Sequence, residues 1–424
     1  MNRSSQLYRM VWRWHFYAGL ITAPIIILLG ITGAIYLFRP IAEPWLYSDM
    51  WYVDMASTAE NTEESSRLVE CIRAAEQSMP DGTASTLEWY PSSNRACVVT
   101  VRDQARNQHL LFVDPSSGEV QGTLVRDSML MRQVRNLHGE LMMGWFGSAI
   151  VETTACWTLV LTATGICLWW PRGRSKIWGV LLPRLRRNGR TFWKDVHSVT
   201  AFWSAGLVIV LIVTGLPWTN VWGGALARLQ NVTGQSAPPS ASRRPILKSG
   251  ESAGRTPIPT DRAVDIARSL GLDGAFTLSL PKGDRGTYGF RSQPVSLSES
   301  HFLHLDQYSG EVIDSAKWGD LPILARAKTM GIRLHQGELL GTSNFVAMLL
   351  ATLSLPLSAI AAIVMWWRRR PAGRLAAPPR PNDWTPPKWL GGLTACFCVF
   401  FPMLFVSWLS IGLIDWMLMK RWAD

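Results

Sequence analysis

"RNLHGELMMGW" at 135–145 and "IRLHQGELLGTS" at 332–343 are near-copies of one another, and each stands just ahead of a long apolar run. Their reading decides the fold, because two such copies split the chain into similar halves. Other pairs recur at the same or a similar step. "LWWPRGR" (168–174) matches "MWWRRRPAGR" (365–374), so Trp169 and Trp366 lie 197 positions apart, as do His138 and His335. "WHFYAGL" (14–20) matches "VHSVTAFWSAGL" (196–207), which sets His15 and His197 182 positions apart. An internal repeat of this length makes each half one structural unit.

With 48% hydrophobic residues and 22 Trp in 424 positions, the chain is too apolar in patches for one soluble domain. Five runs approach or exceed the roughly 20 residues that a helix needs to cross the hydrocarbon core. They are Phe16–Phe38, Ala149–Trp170, Val196–Trp218, Phe345–Trp367 and Leu393–Ile414, and only the second holds a charge, Glu152. The first is longer than a signal-peptide core and no small-residue cleavage site follows it, so a retained anchor is expected.

Basic residues beside helix ends mark cytoplasmic loops. Arg172, Arg174, Lys176, Arg184, Arg186, Arg187, Arg190 and Lys194 oppose the single acid Asp195. A later loop sets Arg368, Arg369, Arg370, Arg374, Arg380 and Lys388 against Asp383, and Arg3, Arg9 and Arg13 mark the N-terminus. The expected layout is a cytoplasmic N-terminus and first span (1–38), an outer domain (39–137), a second span (138–171) and an inner loop (172–195). A third span (196–219), a linker with a second outer domain (220–334), a fourth span (335–368), an inner loop (369–390) and a fifth span (391–424) follow. The inner loops hold much of the net charge of +11. No base-reading motif accompanies them, so the expected partner is the lipid bilayer and not nucleic acid.

Both outer segments pattern as small α+β domains. In the first, an amphipathic stretch near Glu63–Met79 precedes "STLEWY", "ACVVTV" and "HLLFVDPSSGEVQG". The second repeats the order with "TDRAVDIARSLG", "AFTLSL", "GTYGF" and "HFLHLDQYSGEVIDS". Residues 234–258, rich in Ser, Pro and Gly, are expected to be a flexible link. The fold class is therefore an α-helical membrane protein with small extracytoplasmic α+β domains. It is built as a tandem pseudo-two-fold repeat of helix, outer domain and helix, plus one extra C-terminal helix, with the axis along the membrane normal.

That symmetry gives the histidines meaning. His15 and His197 are expected to begin helices at the inner face, and His138 and His335 to introduce helices at the outer face. An axis passing between helices sets equivalent positions face to face, as a planar haem with two axial imidazoles needs. Two pairs at two depths imply two haems. Gly19, Gly30, Gly33, Gly206 and Gly215 would let a macrocycle, or simply another helix, approach. Arg9, Arg13 and Lys194 inside, and Arg132, Arg135 and Arg333 outside, are candidate propionate partners.

"VDPSSGEV" (113–120) and "LDQYSGEV" (305–312) resemble PepSY domains. "LHGEL" with "WWPRGR" and "WKDVHS" resembles the PepSY-associated transmembrane family of iron-regulated inner-membrane proteins, over roughly residues 10–370. The extra Gln336 and the fifth helix depart from the simplest pattern. The resemblance implies a ferric-siderophore reductase with two b-type haems, His15 and His197 serving the cytoplasmic side, His138 and His335 the periplasmic side. Its substrate would be a periplasmic ferric siderophore. No Gly-x-Gly-x-x-Gly follows a strand, so the electrons would come from a separate cytoplasmic reductase or a membrane quinol.

Glu152 lies fourteen positions after His138, within about 40° of the same helical face, and suggests a proton path or a contact to a ligand. A hydrated interfacial acid is the alternative. Cys71 and Cys97 share an outer domain and are disulfide candidates. Cys156, Cys167, Cys396 and Cys398 read as small apolar residues in spans. His301 and His304 fall on opposite faces of one strand, which argues against a shared metal, and His109 reads as a surface residue. Two other functions stay open: a transport component for the siderophore or iron, and a haem-free regulatory anchor.

Overall fold

The computed structural model describes residues 3–53, 64–91, 94–171, 177–184, 186, 189–242, 247–251, 254–371 and 385–410. Arg172, Arg174, Lys176, Arg187, Arg374, Arg380, Asp383 and the far end of the fifth apolar run lie outside these residues. In chain order, α1 (Arg3–Leu37), α2 (Arg39–Leu46), α3 (Ser48–Trp51) and α4 (Glu64–Ser78) precede strands β1 (Thr83–Trp89), β2 (Cys97–Arg102), β3 (Gln108–Val113) and β4 (Val120–Val125). Helices α5 (Leu130–Glu140), α6 (Gly144–Trp169), α7 (Arg190–Gly215), α8 (Val221–Val232) and α9 (Thr260–Ser269) follow. Strands β5 (Phe276–Ser279), β6 (Thr287–Ser292), β7 (His301–Asp306) and β8 (Val312–Lys317) lead to α10 (Ile323–His335), α11 (Gly341–Trp367) and α12 (Lys388–Phe400). The chain forms two compact units, one of residues 1–38, 134–229 and 328–424, the other of residues 39–133 and 230–327.

In the helical unit, α1, α6, α7 and α11 are each long and apolar enough to cross a membrane. Their extensive contacts close a ring, α1 to α11 to α7 to α6 and back to α1. Without water, polar side chains in such helices turn to their own backbone. Thr22, Thr32, Thr154, Thr158 and Thr352 all donate to the carbonyl four residues earlier. Small residues permit close approach. A Cβ at Gly30 would lie 2.5 Å from Pro356 Cδ and 2.8 Å from the Thr352 carbonyl oxygen, so α1 rests directly on the interrupted turn of α11. Exposed Trp145, Trp170 and Trp367 sit at helix ends, as interfacial tryptophans do.

The fifth apolar run, expected as one span over Leu393–Ile414, is broken within the described residues. Lys388–Phe400 and Pro402–Ser410 are two helices bent by 117°. Proline removes an amide donor and breaks the ladder, and the Trp222 indole donates to the carbonyl of Phe400 at 3.2 Å. Phe401 packs against Leu159, Val208 and Ile212, and Ser407 accepts from the Trp157 indole at 3.0 Å.

In the other unit, the expected pair of separate outer domains is replaced by one eight-stranded antiparallel sheet, ordered β4-β3-β2-β1-β5-β6-β7-β8. β1 and β5 would each have been an exposed edge, and pairing them, with Leu87 opposite Leu278, removes both. One core then serves both halves. Leu68, Cys71 and Ala75 of α4 and Ala263, Val264 and Ala267 of α9 cover Leu87, Leu278, Phe276 and Phe290. Glu64 pairs with Arg268 across the two helices and accepts from the Trp89 indole.

The expected flexible link is held down where it is described. Ser240 N–H donates to Asp314 at 2.8 Å, Ala241 packs beneath Phe302 and Ala316, and Ser249 bridges Gly286 and Gln307. Cys71 and Cys97 are buried free thiols placed side by side, and burial, with Cys71 beside it, pushes the Cys97 thiol well up. His301 and His304 occupy opposite faces of β7, as alternation requires, with Ser315 and Thr287 as respective partners. No cluster of metal-binding side chains occurs among the described residues. His109 is part-buried and pairs with Asp103 at 3.0 Å, so it is not a bare surface residue.

Gly30→Ala forces a methyl against the α11 backbone and is expected to destabilise the helical unit by about 1–3 kcal/mol. Thermal unfolding in detergent checks this. Burial holds both His301 and His304 below the ordinary imidazole value. Their neutral forms favour the fold above the unfolded value of about 6.5, and that contribution is lost as pH falls below it. Denaturant unfolding followed from pH 8 to pH 5 should show falling stability, with a shallower slope for His304→Gln.

Candidate functional site

The two histidines expected at the inner face, called the inner pair, meet across the bundle. His15 on α1 and His197 on α7 have ring centroids 6.2 Å apart with planes at 70°. The sequence predicts that both begin their helices; instead α1 starts at Arg3 and α7 at Arg190, so each ring lies inside its helix. Asp195, fully buried two residues before His197, accepts from the Arg184 backbone, Nε and Nη2 at 3.0, 2.7 and 2.8 Å, which draws the inner loop onto α7.

Each inner ring is fixed by one nitrogen. His15 Nδ1 lies 2.9 Å from Thr164 Oγ1, whose own proton goes to the Val160 carbonyl at 2.7 Å. The hydroxyl therefore accepts, and Nδ1 carries the proton. His197 Nδ1 lies 3.0 Å from the Ser358 carbonyl, which can only accept. The Ser358 hydroxyl also lies 2.9 Å from His197 Nδ1 and reaches the His197 carbonyl at 3.5 Å, so it too can accept; these partners favour the Nδ1–H tautomer at both rings and leave the Nε2 lone pair uncommitted.

The outer pair repeats this arrangement on different helices. His138 is on α5 and His335 is the last residue of α10, so neither is on a spanning helix. Leu141, Met142 and Gly144 at φ 48°, 58° and 57° break α5 from α6, and Gly337 and Gly341 at 76° and 61° break α10 from α11. His138 Nδ1 lies 3.0 Å from Thr32 Oγ1, whose proton goes to the Leu28 carbonyl at 2.7 Å. His335 Nδ1 donates to the Leu211 carbonyl at 2.8 Å, with Thr214 Oγ1 at 3.5 Å. His138 lies within electrostatic reach of His335. A Cβ at Gly33 would sit 3.0 Å from His138 Cε1, and one at Gly215 2.8 Å from His335 Cε1. These two glycines serve the rings, whereas Gly30 serves helix packing. Gly19 makes only ordinary contact and Gly206 meets nothing within 4 Å.

The two levels are linked by single helices. His15 and Thr32 are seventeen residues apart on α1, as are His197 and Thr214 on α7, which is roughly 25 Å of helix. That nearly spans a hydrocarbon core of about 30 Å.

These residues fit a haem. Among the described residues, no Nε2 of the four rings has a hydrogen-bond partner. Two metal–nitrogen bonds of about 2 Å each, plus half the width of each ring, account for the 6.2 Å between the inner centroids. A metal-bound imidazole also normally donates its other N–H to a carbonyl or hydroxyl, as all four do here.

The other candidates divide. Arg135 shares the face of His138 one turn away on α5 and lies over the Trp218 ring at 5.6 Å. Arg13 and Arg333 are two positions from their histidines, a spacing that points elsewhere on a helix, and Arg13 lies over Tyr17 at 5.0 Å. Arg132 pairs with Asp127 at 3.1 Å. Arg9 and Lys194 lie near the inner ends of α1 and α7.

Glu152 does not share a face with His138, because the break between α5 and α6 cancels the angular argument. Its two oxygens instead accept from the backbone N–H groups of Val221 and Trp222, each at 3.0 Å. A fully buried carboxylate thus holds the first turn of α8, where orphan amides and the helix dipole favour negative charge. Sequence reasoning missed this partner, as it missed Thr32, Thr164, Leu211 and Ser358. A threonine seventeen positions beyond each inner histidine was the available signal.

The chain belongs to the PepSY-associated TM region family, whose model matches residues 12–369. No curated protein matches it significantly.

Glu152→Gln keeps only one acceptor for two buried amides and is expected to lower stability by about 1–3 kcal/mol. Histidine-dependent ligand binding should be unchanged. Melting temperature and bound haem per chain check both halves of this expectation, and loss of haem at full stability would contradict it.

Proposed function

We propose that this membrane protein is a di-haem b oxidoreductase of the bacterial inner membrane that reduces a ferric siderophore on the periplasmic side. The observation that carries the reading is the shared state of four histidines, each donating through Nδ1 and each leaving Nε2 uncommitted, grouped at two levels of one bundle. His15 and His197 would hold the inner haem, His138 and His335 the outer. Haem iron bound there supplies one-electron transfer between ferric and ferrous states.

The chain's own residues do the rest. Thr164 and Ser358 orient the inner rings, and Thr32 and Leu211 the outer ones. Apolar walls keep water from the path, so an electron crosses between fixed sites and no bare charge enters lipid. Arg135, beside His138, is the outer cation best placed for a propionate; Arg13 and Arg333 stay weaker candidates. A pseudo-two-fold axis relating α1 to α7 and α6 to α11 accounts for the like-with-like pairing. Basic residues near the inner helix ends put His15 and His197 on the cytoplasmic side.

The donor is a cytoplasmic reductase or a membrane quinol, which gives up one electron per ferric ion. The siderophore iron is the acceptor. Fe(II) holds anionic oxygen ligands less tightly than Fe(III), so reduction releases it.

Proteoliposomes enclosing a reductant and carrying ferric siderophore outside provide the test. Ferrous iron should appear outside with the parent protein, and formation should fall at least tenfold in His15→Ala and His138→Ala, each of which loses a different haem. Uptake of the siderophore without ferrous iron would overturn the reductase in favour of transport. A folded parent that binds no haem would leave the regulatory anchor.

A further inference from the structure

The two outer ligands are not held alike. His138 has two more helical residues behind it, Gly139 and Glu140, whereas α10 stops at His335 itself. Six positions separate each histidine from the glycine that opens the next span, Gly144 or Gly341, so the extra Gln336 does not lengthen the connection. It shortens the helix and widens the loop. The second half therefore carries its ligand at a helix terminus, where the carbonyls of Ile332, Arg333 and Leu334 are taken by the loop amides of Gln336, Glu338 and Gly337.

Asn344 ties that loop to the next span. It lies in the first turn of α11 and is 3% exposed. Its Nδ2 donates to the Leu334 carbonyl at 3.0 Å, one residue before His335, and its Oδ1 accepts from the Leu339 N–H at 2.9 Å. Leu334 also takes the Gly337 N–H at 3.1 Å, so the carboxamide closes the end of α10 against the start of α11. A buried carboxamide bonded to backbone at both ends is fixed in orientation.

The first half meets the same need differently. Gly147 is 197 positions before Asn344, the step that relates the outer histidines. A Cβ there would lie 1.7 Å from the Glu140 oxygen, so backbone presses on backbone and no side chain fits. The turn there is closed by Met143 N–H on the Glu140 carbonyl at 2.7 Å. One half uses direct contact at a glycine; the other bridges a wider loop with an asparagine.

We propose that Asn344 is the positioning residue for His335, holding the ligand-bearing end of α10 in place while touching neither the ring nor any bound group. The proposal rests on the reading of His335 as an outer axial ligand. It makes the second-half ligand adjustable at a residue with no counterpart in the first half. The inner pair, on the interiors of α1 and α7, is independent of it.

The test uses the full-length protein in detergent, with Asn344→Ala, Asn344→Asp and, as a control in the same turn, Ser343→Ala, whose hydroxyl reaches only the Leu340 carbonyl. Electron paramagnetic resonance and redox titration resolve the two haems. Asn344→Ala should shift or broaden the outer low-spin signal and move the outer midpoint potential, leaving the inner centre as in the parent. Asn344→Asp keeps the acceptor for Leu339 but sets an oxygen against the Leu334 carbonyl, so the outer signal should shift while Leu339 exchange stays near the parent's, and it carries the test where the alanine variant does not fold. Backbone amide exchange at Leu339 should be roughly fivefold to tenfold faster in Asn344→Ala, the factor that one lost hydrogen bond supplies. An outer centre identical to the parent's, or equal change at both centres, overturns the positioning role with the haem reading intact. A parent without haem defeats the haem reading alone; the exchange result then decides whether Asn344 fixes the end of α10, and unchanged exchange overturns that too.

Discussion

An imidazole N–H cannot be left unpaired in an apolar bundle, and that constraint organises the helical unit. Leaving a polar donor without a partner away from water costs a few kcal/mol. Each of the four rings therefore gives its Nδ1 proton to a carbonyl or to a threonine whose own proton is already spent. The tautomer follows, and with it the free lone pair on Nε2. The same bond sets ring orientation, so the property that makes the ring a ligand and the one that places it have one origin. Because α1 carries His15 at one end and the acceptor for His138 at the other, each helix serves both levels. α7 does likewise with His197 and Leu211.

The sheet unit obeys a related rule about unpaired backbone. Two four-stranded halves with open edges would each invite aggregation. Pairing β1 with β5 turns two marginal cores into one, covered by α4 and α9 and tied by Glu64 and Arg268. This unit contributes no residue to the histidine pairs.

Much of this was legible in the chain. Hydropathy located four spans, and the repeated strings set His15 against His197, whose ring centroids lie 6.2 Å apart. What stayed hidden depends on backbone geometry over a few residues. Continuous apolar patterning cannot announce the positive φ angles at Leu141 and Met142, so His138 was assigned to the wrong helix and Glu152 to the wrong neighbour. The bend at Phe401 needed Pro402 to be read as a break inside an apolar run. Joining the two sheet halves was invisible because strand pairing between distant segments leaves no local periodicity. The role of Asn344 depends on where α10 ends, which spacing alone does not give.

The central claim is that two imidazoles per level share one iron. Near-infrared magnetic circular dichroism of the oxidised, detergent-purified protein reads axial ligation directly. Two low-spin ferric haems per chain, both with bis-histidine charge-transfer bands, are the predicted result. A high-spin centre, a single haem, or a band of other ligation at either level would contradict the account.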